Sequence, residues 1–108
     1  MNTTNAPQEN TVKKGYWVAA YRSISDESAL KAYRPLAVAA IQSFGGRFLT
    51  SPTSQIQVHE AGLLMRTTLV EFESYATALA AYESEAYQNA LKVLGTATER
   101  DHRIVEGA

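Results

Sequence analysis

The residues of this sequence that could do chemistry include two histidines, of which His59 is the first candidate for a catalytic base. A neutral imidazole exchanges protons near neutral pH, and His59 stands immediately before the carboxylate of Glu60. On an ideal strand these two side chains point to opposite faces, so adjacency in sequence alone does not pair them. The alternative interpretation is a solvated histidine near the end of an edge strand.

The second histidine, His102, follows Asp101 and stands in a densely charged stretch, residues 99–103. Such a density of charge is typical of a solvated turn, and we predict that role here rather than acid–base catalysis. The two histidines lack HxH or HExxH spacing, and the sequence contains no cysteine. We therefore predict no metal site and no cofactor.

Arginines and aromatic residues suggest a binding site more than any motif does. Arg47 and Arg66 fall on adjoining predicted strands, where two guanidinium groups would clamp a carboxylate or an enolate. The aromatic residues expected between helices and sheet are Tyr16, Trp17, Tyr21, Tyr33, Tyr82 and Tyr87. We predict that the substrate-binding residues are Arg47, Tyr16, Tyr21, Tyr82 and Tyr87, and that the catalytic residues are His59, Arg66 and Glu71. Alternatively, the tyrosines are core residues and the arginines reach solvent or pair with glutamates.

The elements that must position these residues follow from hydrophobic periodicity. Alternating or continuous apolar runs predict strands over Tyr16–Arg22, Arg47–Ser51 with a continuation at Gln55–Glu60, Leu63–Phe72 and Arg103–Glu106. Apolar residues at three- and four-residue steps from Leu30 to Phe44 predict a helix, which Pro35 would kink or break and Gly45-Gly46 would end. Ser74 and Ser84 predict the starts of two further helices.

The order of these elements, β-α-β-β-α-β, predicts the α+β class. We expect a ferredoxin-like two-layer sandwich in which the helices cover one face of a four-stranded antiparallel sheet. Because Tyr16–Arg22 and Leu63–Phe72 are apolar on both faces, the second face also needs cover. We predict that it pairs with a second copy, so that two sheets close into a dimeric α+β barrel.

Length and charge limit the remaining possibilities. The chain of 108 residues suits a polar, flexible tail over residues 1–13 and a single domain over residues 14–108. Ten basic and eleven acidic side chains without clusters predict neither nucleic acid nor membrane as a partner. With no apolar stretch of signal-peptide or membrane-spanning length, we predict a cytoplasmic location.

Five short segments together are similar to one family. They are Lys14-Gly15-Tyr16-Trp17, Gly45-Gly46-Arg47-Phe48-Leu49, Val70-Glu71-Phe72-Glu73-Ser74, Tyr82-Glu83-Ser84 with Tyr87-Gln88, and Ile104-Val105-Glu106-Gly107. In this order they resemble the domain of unknown function 1330. The resemblance implies kinship with dimeric α+β barrels, a group that includes cofactor-free monooxygenases, muconolactone-type isomerases, polyketide cyclases and haem enzymes.

Two departures from that family's pattern stand out. The family usually continues Gly-Gly-Arg-Phe-Leu with another arginine and a Gly-Gly turn, whereas this chain has Ser51-Pro52-Thr53. The position of His59 is usually aliphatic in the family, so a titratable group stands where a hydrophobic one is expected.

Three functional hypotheses follow. The first is a small cofactor-free enzyme that acts on a polar aromatic or carbonyl compound by proton transfer, as an isomerase, cyclase, lyase or monooxygenase does. The second is a homodimer that binds a small molecule without transforming it. The third is a structural homodimer whose interior is filled by side chains.

Overall fold

One antiparallel sheet of four strands and a layer of three helices make up the computed structural model, which describes residues 12–108. The elements are β1 (Gly15–Ile24), α1 (Glu27–Ser43), β2 (Arg47–Phe48), β3 (Thr67–Phe72), α2 (Tyr75–Glu83), α3 (Glu85–Leu94) and β4 (Thr98–Glu106). The strands are ordered β2-β3-β1-β4. The predicted α+β fold is confirmed. The predicted tail over residues 1–13 lies outside the described residues except for its last two positions.

The central strand β1 shows which face of the sheet the helices cover. Trp17, Ala19 and Tyr21 are buried, with 3–5% of their surface exposed, and the residues between them are only half-buried. Because successive side chains of a strand point to opposite faces, the helices pack on the face of Trp17. Val18 and Leu69, paired across β1 and β3, lie on the other face, which no described element covers.

Helix α1 forms where its apolar periodicity predicts it. Its buried residues are Leu30, Tyr33, Ala37, Ala40 and Ile41, and the Asp26 side chain caps it by accepting the Ala29 N–H at 3.1 Å. Of the two outcomes predicted for Pro35, a kink or a break, the break is wrong, because the helix continues unbroken to Ser43. Pro35 lies on the exposed face, where the N–H that proline lacks leaves no buried carbonyl of the helix core without a partner.

Residues Gly45-Gly46 end α1 in a Schellman motif. The Gly46 N–H donates to the Ile41 carbonyl and the Gly45 N–H donates to the Gln42 carbonyl, both at 2.9 Å. Gly45 has φ = 73°, a left-handed conformation that glycine adopts without steric cost. The predicted helix end is confirmed.

Two further helices begin where the serines predict them. The Ser74 side chain accepts the Thr77 N–H at 3.0 Å and caps α2, and the Ser84 side chain accepts the Tyr87 N–H at 3.2 Å and caps α3. None of the described helices has the length and apolar content needed to cross a membrane.

The segment between β2 and β3 differs from its prediction. Thr50 ends the pairing with β3, because its hydroxyl takes the place of a backbone partner: it accepts the Leu69 N–H and donates to the Thr67 carbonyl, each at 3.1 Å. Residues 55–60 then form no strand, since no described strand lies beside them. The alternation of Ile56 and Val58 therefore did not identify a strand.

The limits of the other strands also differ. β3 begins at Thr67 rather than Leu63, and Leu63 and Leu64 are 51% and 68% exposed in the preceding loop. β4 begins at Thr98 rather than Arg103, because the long β1 pairs with it as far as Ile24. Charged residues 99–103 thus lie in a strand, although their composition is typical of a turn.

The close approach of β1 to α2 gives a stability prediction. A Cβ atom on Gly15 would lie 2.5 Å from the Ser74 carbonyl oxygen and 2.7 Å from the Tyr75 Cα. We expect Gly15→Ala to lower the free energy of unfolding by about 1–3 kcal/mol, because backbone atoms must shift to admit the methyl group. Urea denaturation measures the change. Ser23→Ala, on the exposed end of the same strand, should change it by less than about 0.5 kcal/mol, and equal effects of both substitutions would contradict the prediction.

Candidate functional site

A cavity of about 270 Å³ lies between α1 and the helix-covered face of the sheet. The helix α2 lies against the strands, whereas α1 packs mainly on α3, so space remains beneath α1. Ala19 is at the floor of this space between the much larger Trp17 and Tyr21. The remaining apolar wall consists of Leu30, Ala37, Val38, Ile41, Phe48, Pro52 and Val70.

The sheet register brings three polar side chains to the cavity beside two residues of β1. Tyr21 faces Arg100 on β4, and on its other side the Tyr21 N–H donates to the Arg66 carbonyl at 3.0 Å. Ala19 faces His102 on β4. Arg66, Arg100 and His102 all line the cavity, although 36 residues of sequence separate the first from the last. Antiparallel pairing with a common central strand therefore assembles the site.

Two guanidinium groups flank the Tyr21 ring. The Cζ atoms of Arg66 and Arg100 lie 5.3 Å and 5.5 Å from its centroid, within the range of a cation–π interaction. The Nε atom of Arg66 is buried and has no hydrogen-bond acceptor among the described residues. None of the described residues that line the cavity is an aspartate or a glutamate. The cavity therefore has an uncompensated positive charge.

A pair of phenols lies at the helix side of the cavity. The hydroxyls of Tyr33 on α1 and Tyr87 on α3 share a hydrogen bond of 2.7 Å, and Arg100 donates to the Tyr33 hydroxyl at 3.2 Å. Burial, followed by the influence of Tyr33, raises the pKa of Tyr87, so its hydroxyl stays protonated. Burial opposes the charge of Arg100, but Tyr33 and Tyr87 outweigh that effect and raise its pKa overall. The network is thus a cation joined to two neutral hydroxyls.

His102 presents an uncharged imidazole to the same cavity. Its ring centroid lies 5.2 Å from that of Trp17 and 5.1 Å from that of Tyr82. Burial, reinforced by the charge of Arg100 and opposed by that of Asp101, lowers its pKa to about 4. The solvated turn predicted for this pair is wrong, because both residues lie within β4. They point to opposite faces, and Asp101 pairs with Arg103 at 3.0 Å.

Three of the predicted site residues lie on the other face of the sheet. Arg47 forms an ion pair with Glu71 at 2.6 Å, and the Tyr16 hydroxyl donates to Glu71 at 3.2 Å. Burial opposes the charge of Glu71, but Arg47 and Tyr16 outweigh burial and lower the pKa of this carboxyl group. The pKa of Tyr16 is raised by burial and by the neighbouring Glu71. The expected clamp of Arg47 with Arg66 does not form, because the pleat directs these two side chains to opposite faces.

Other predicted site residues occupy different environments. Tyr21, Arg66 and Tyr87 line the cavity, whereas Tyr82 packs against the Trp17 and Tyr87 rings behind it. His59 is exposed in the loop before β3 and does not reach the cavity. Across residues 12–108, no three histidine, aspartate or glutamate side chains are grouped as metal ligands.

Sequence reasoning missed Arg100 and His102, although one signal was present. Arg100, His102 and Ile104 occupy every second position, which is the side-chain period of a strand. The charge density of the stretch concealed that period.

The buried imidazole gives a prediction about pH. The unfolded chain binds a proton at His102 near pH 6.5 and the folded chain only near pH 4, so folding stability falls as the pH drops through this window. The loss should reach about 3 kcal/mol at pH 4, since the two pKa values differ by about 2.5, one pKa unit corresponds to about 1.4 kcal/mol, and the folded chain is half protonated there. We expect His102→Gln to remove this part of the pH dependence in urea denaturation at pH 4–7. His59→Gln is the exposed control, and a slope retained in His102→Gln would rule out its assignment to this histidine.

Known proteins give the family and the fold. The crystal structure of methylated RPA0582 protein superposes with a TM-score of 0.69 at 14% sequence identity, covering 99% of this chain and 93% of that chain. RPA0582, a protein of unknown function from Rhodopseudomonas palustris, gives a TM-score of 0.64 at 16% identity, covering 97% and 92%. At these identities the likeness shows a shared fold. No curated protein matches the sequence. The family profile described as Domain of unknown function (DUF1330) matches residues 14–108, and the chain therefore belongs to the DUF1330 family.

Proposed function

We propose that this protein is a small enzyme that transfers a proton on a polar aromatic or carbonyl compound within the cavity beneath α1. The observation that carries the proposal is the uncharged imidazole of His102 at the wall of a cavity that also contains Arg66 and Arg100. A base and a source of positive charge in one cavity are the groups that enolisation requires.

The proposed step uses only side chains of this chain. The imidazole of His102 accepts a proton from the carbon next to a carbonyl group, and the electron pair of the broken C–H bond moves onto the carbonyl oxygen. A guanidinium group stabilises the negative charge that develops there. The imidazolium then returns the proton to a different atom of the substrate, which completes an isomerisation. Because acid, base and cation all come from the protein, the step needs no cofactor.

Ketonisation of enol-phenylpyruvate tests this proposal, because the compound combines a flat ring with an enol group and its reaction is followed by ultraviolet absorbance. We expect His102→Gln to lower kcat/KM by about 100-fold or more, the usual contribution of a general acid–base residue. His59→Gln should leave kcat/KM within about twofold, since His59 is exposed outside the cavity. If the His59 substitution were the damaging one, the assignment of the base to His102 would fail.

The alternative is a homodimer that binds a small molecule or serves a structural role, and one observation favours the dimer itself. The uncovered face of the sheet carries the apolar side chains of Val18, Leu69 and Val105 on three strands and of Leu49 directly after β2. An apolar sheet face of this extent is typical of an interface between proteins. We propose that a second copy of the chain covers it, and such a dimer is compatible with the enzyme proposed above.

Light scattering during gel filtration measures the oligomer. Val18→Lys places a charge at the centre of the proposed interface, and we expect it to shift the protein from dimer toward monomer while circular dichroism stays unchanged. Val93→Lys makes the same change at an exposed position of α3 in the helix layer and should leave the mass unaltered. A wild-type monomer at micromolar concentration would contradict the proposed dimer.

A further inference from the structure

We infer that the cavity selects a carboxylate attached to a single flat apolar body, and that Arg66 and Arg100 form the carboxylate-binding pair. This inference rests on the proposed function, since it names the substrate class of the same site. It adds that the positive charge of the cavity recognises a permanent anion before any negative charge develops in the reaction.

The first observation is the unmet hydrogen-bonding capacity of Arg66. A guanidinium group has five N–H donors in a planar fork, and its hydrogen bonds are strongest when two of them reach the two oxygens of one carboxylate. The Nε of Arg66 is buried without an acceptor among the described residues, while the side chain lines the cavity. A buried polar group without a partner is rare in folded proteins, and a ligand is one explanation for it. An oxygen placed in the cavity beside Arg66 would give its guanidinium group an acceptor.

The second observation is the balance of charge. Arg66 directly precedes β3 and Arg100 lies on β4, the two strands that flank β1, and both lie over the Tyr21 ring. The ring faces attract cations, but they do not supply a negative charge, and none of the described lining residues is acidic. Elsewhere on the sheet two arginines have carboxylate partners, since Arg47 binds Glu71 and Arg103 binds Asp101, while Arg22 is exposed to solvent. Arg66 and Arg100 line the cavity without a carboxylate partner among the described residues, so a carboxylate beside them must come from a ligand.

The third observation is the shape of the rest of the cavity. Its walls are mostly aliphatic and aromatic, with Trp17 and Ile41 among them, so they suit an apolar body rather than a sugar or a phosphate ester. A volume of about 270 Å³ lies near the lower end of the roughly 300–1,000 Å³ of drug-sized ligand pockets. A single ring with a carboxylate on a short chain matches this combination of size, wall and charge.

The test compares phenylacetate with its neutral isostere phenylacetamide. Trp17 is the single tryptophan of the chain and lines the cavity, so its fluorescence reports binding directly. We expect phenylacetate to bind at least about tenfold more tightly than phenylacetamide, and we expect Arg66→Gln to remove that preference. Arg22→Gln removes the same charge from an exposed position of β1 outside the cavity and should retain the preference.

Arg66→Lys separates geometry from charge, because lysine keeps the positive charge but loses the planar fork. We expect this variant to bind phenylacetate more weakly than the wild type and still to prefer it over the amide. The comparison of the two probes on the wild-type protein holds even if a variant fails to fold. Equal binding of the two probes, binding of neither, or a preference that survives in a folded Arg66→Gln protein would overturn the inference.

Failure of this inference is distinguishable from failure of the proposed enzyme. The measured quantity is equilibrium binding, which does not depend on whether the protein moves a proton. A His102→Gln protein should therefore retain the preference for phenylacetate even where turnover is lost. Turnover of neutral carbonyl compounds without any preference for carboxylates would support the proposed enzyme and contradict the proposed carboxylate site.

Discussion

The Trp17 side chain is the contact on which the helix layer and the cavity depend. Its indole N–H donates to the Ala78 carbonyl at 2.9 Å and so joins β1 to α2. Its ring packs on Phe72 and, at a centroid distance of 4.8 Å, on Tyr87 of α3. The Tyr87 hydroxyl in turn bonds Tyr33 of α1. Aromatic packing of this kind holds the helices at a defined distance from the sheet. Because the Ala19 side chain beside Trp17 is small, the space between α1 and the sheet at this point stays empty and forms the cavity.

One arginine links the two chemical properties of the cavity. Arg100 adds to the positive charge available to an anion, and the same charge reinforces burial in lowering the pKa of His102. A lowered pKa keeps the imidazole uncharged at neutral pH, so that it can accept a proton, but it also makes the imidazole a weaker proton acceptor than an ordinary histidine. The positive charge that attracts an anionic ligand thus also sets the protonation state of the proposed base. Binding and proton transfer draw on one electrostatic arrangement.

The pleat of the sheet places on opposite faces two groups of polar residues that are interspersed along the sequence. Tyr16 and Glu71 pair across β1 and β3 on the uncovered face, while Tyr21 and Arg66 pair on the helix side. A shift of one residue in the strands would exchange the two groups, because alternate side chains point to opposite faces. The uncovered face has matched charges, in which Glu71 bonds both Arg47 and Tyr16. The cavity has an unmatched charge, and the proposed interface and the proposed ligand site differ in this respect.

The sequence alone determined the features that depend on neighbouring residues. The caps at Ser74 and Ser84 and the end of α1 at Gly45-Gly46 were predictable, because their hydrogen bonds join residues a few positions apart. The order of elements followed from the hydrophobic periodicity of each segment. The tertiary structure decided where strands begin and end, since a strand exists only beside a partner that is distant in sequence. It also decided the site: His102 is uncharged and lines the cavity because β4 pairs with β1 beneath the helices, and burial there is a property of the whole fold.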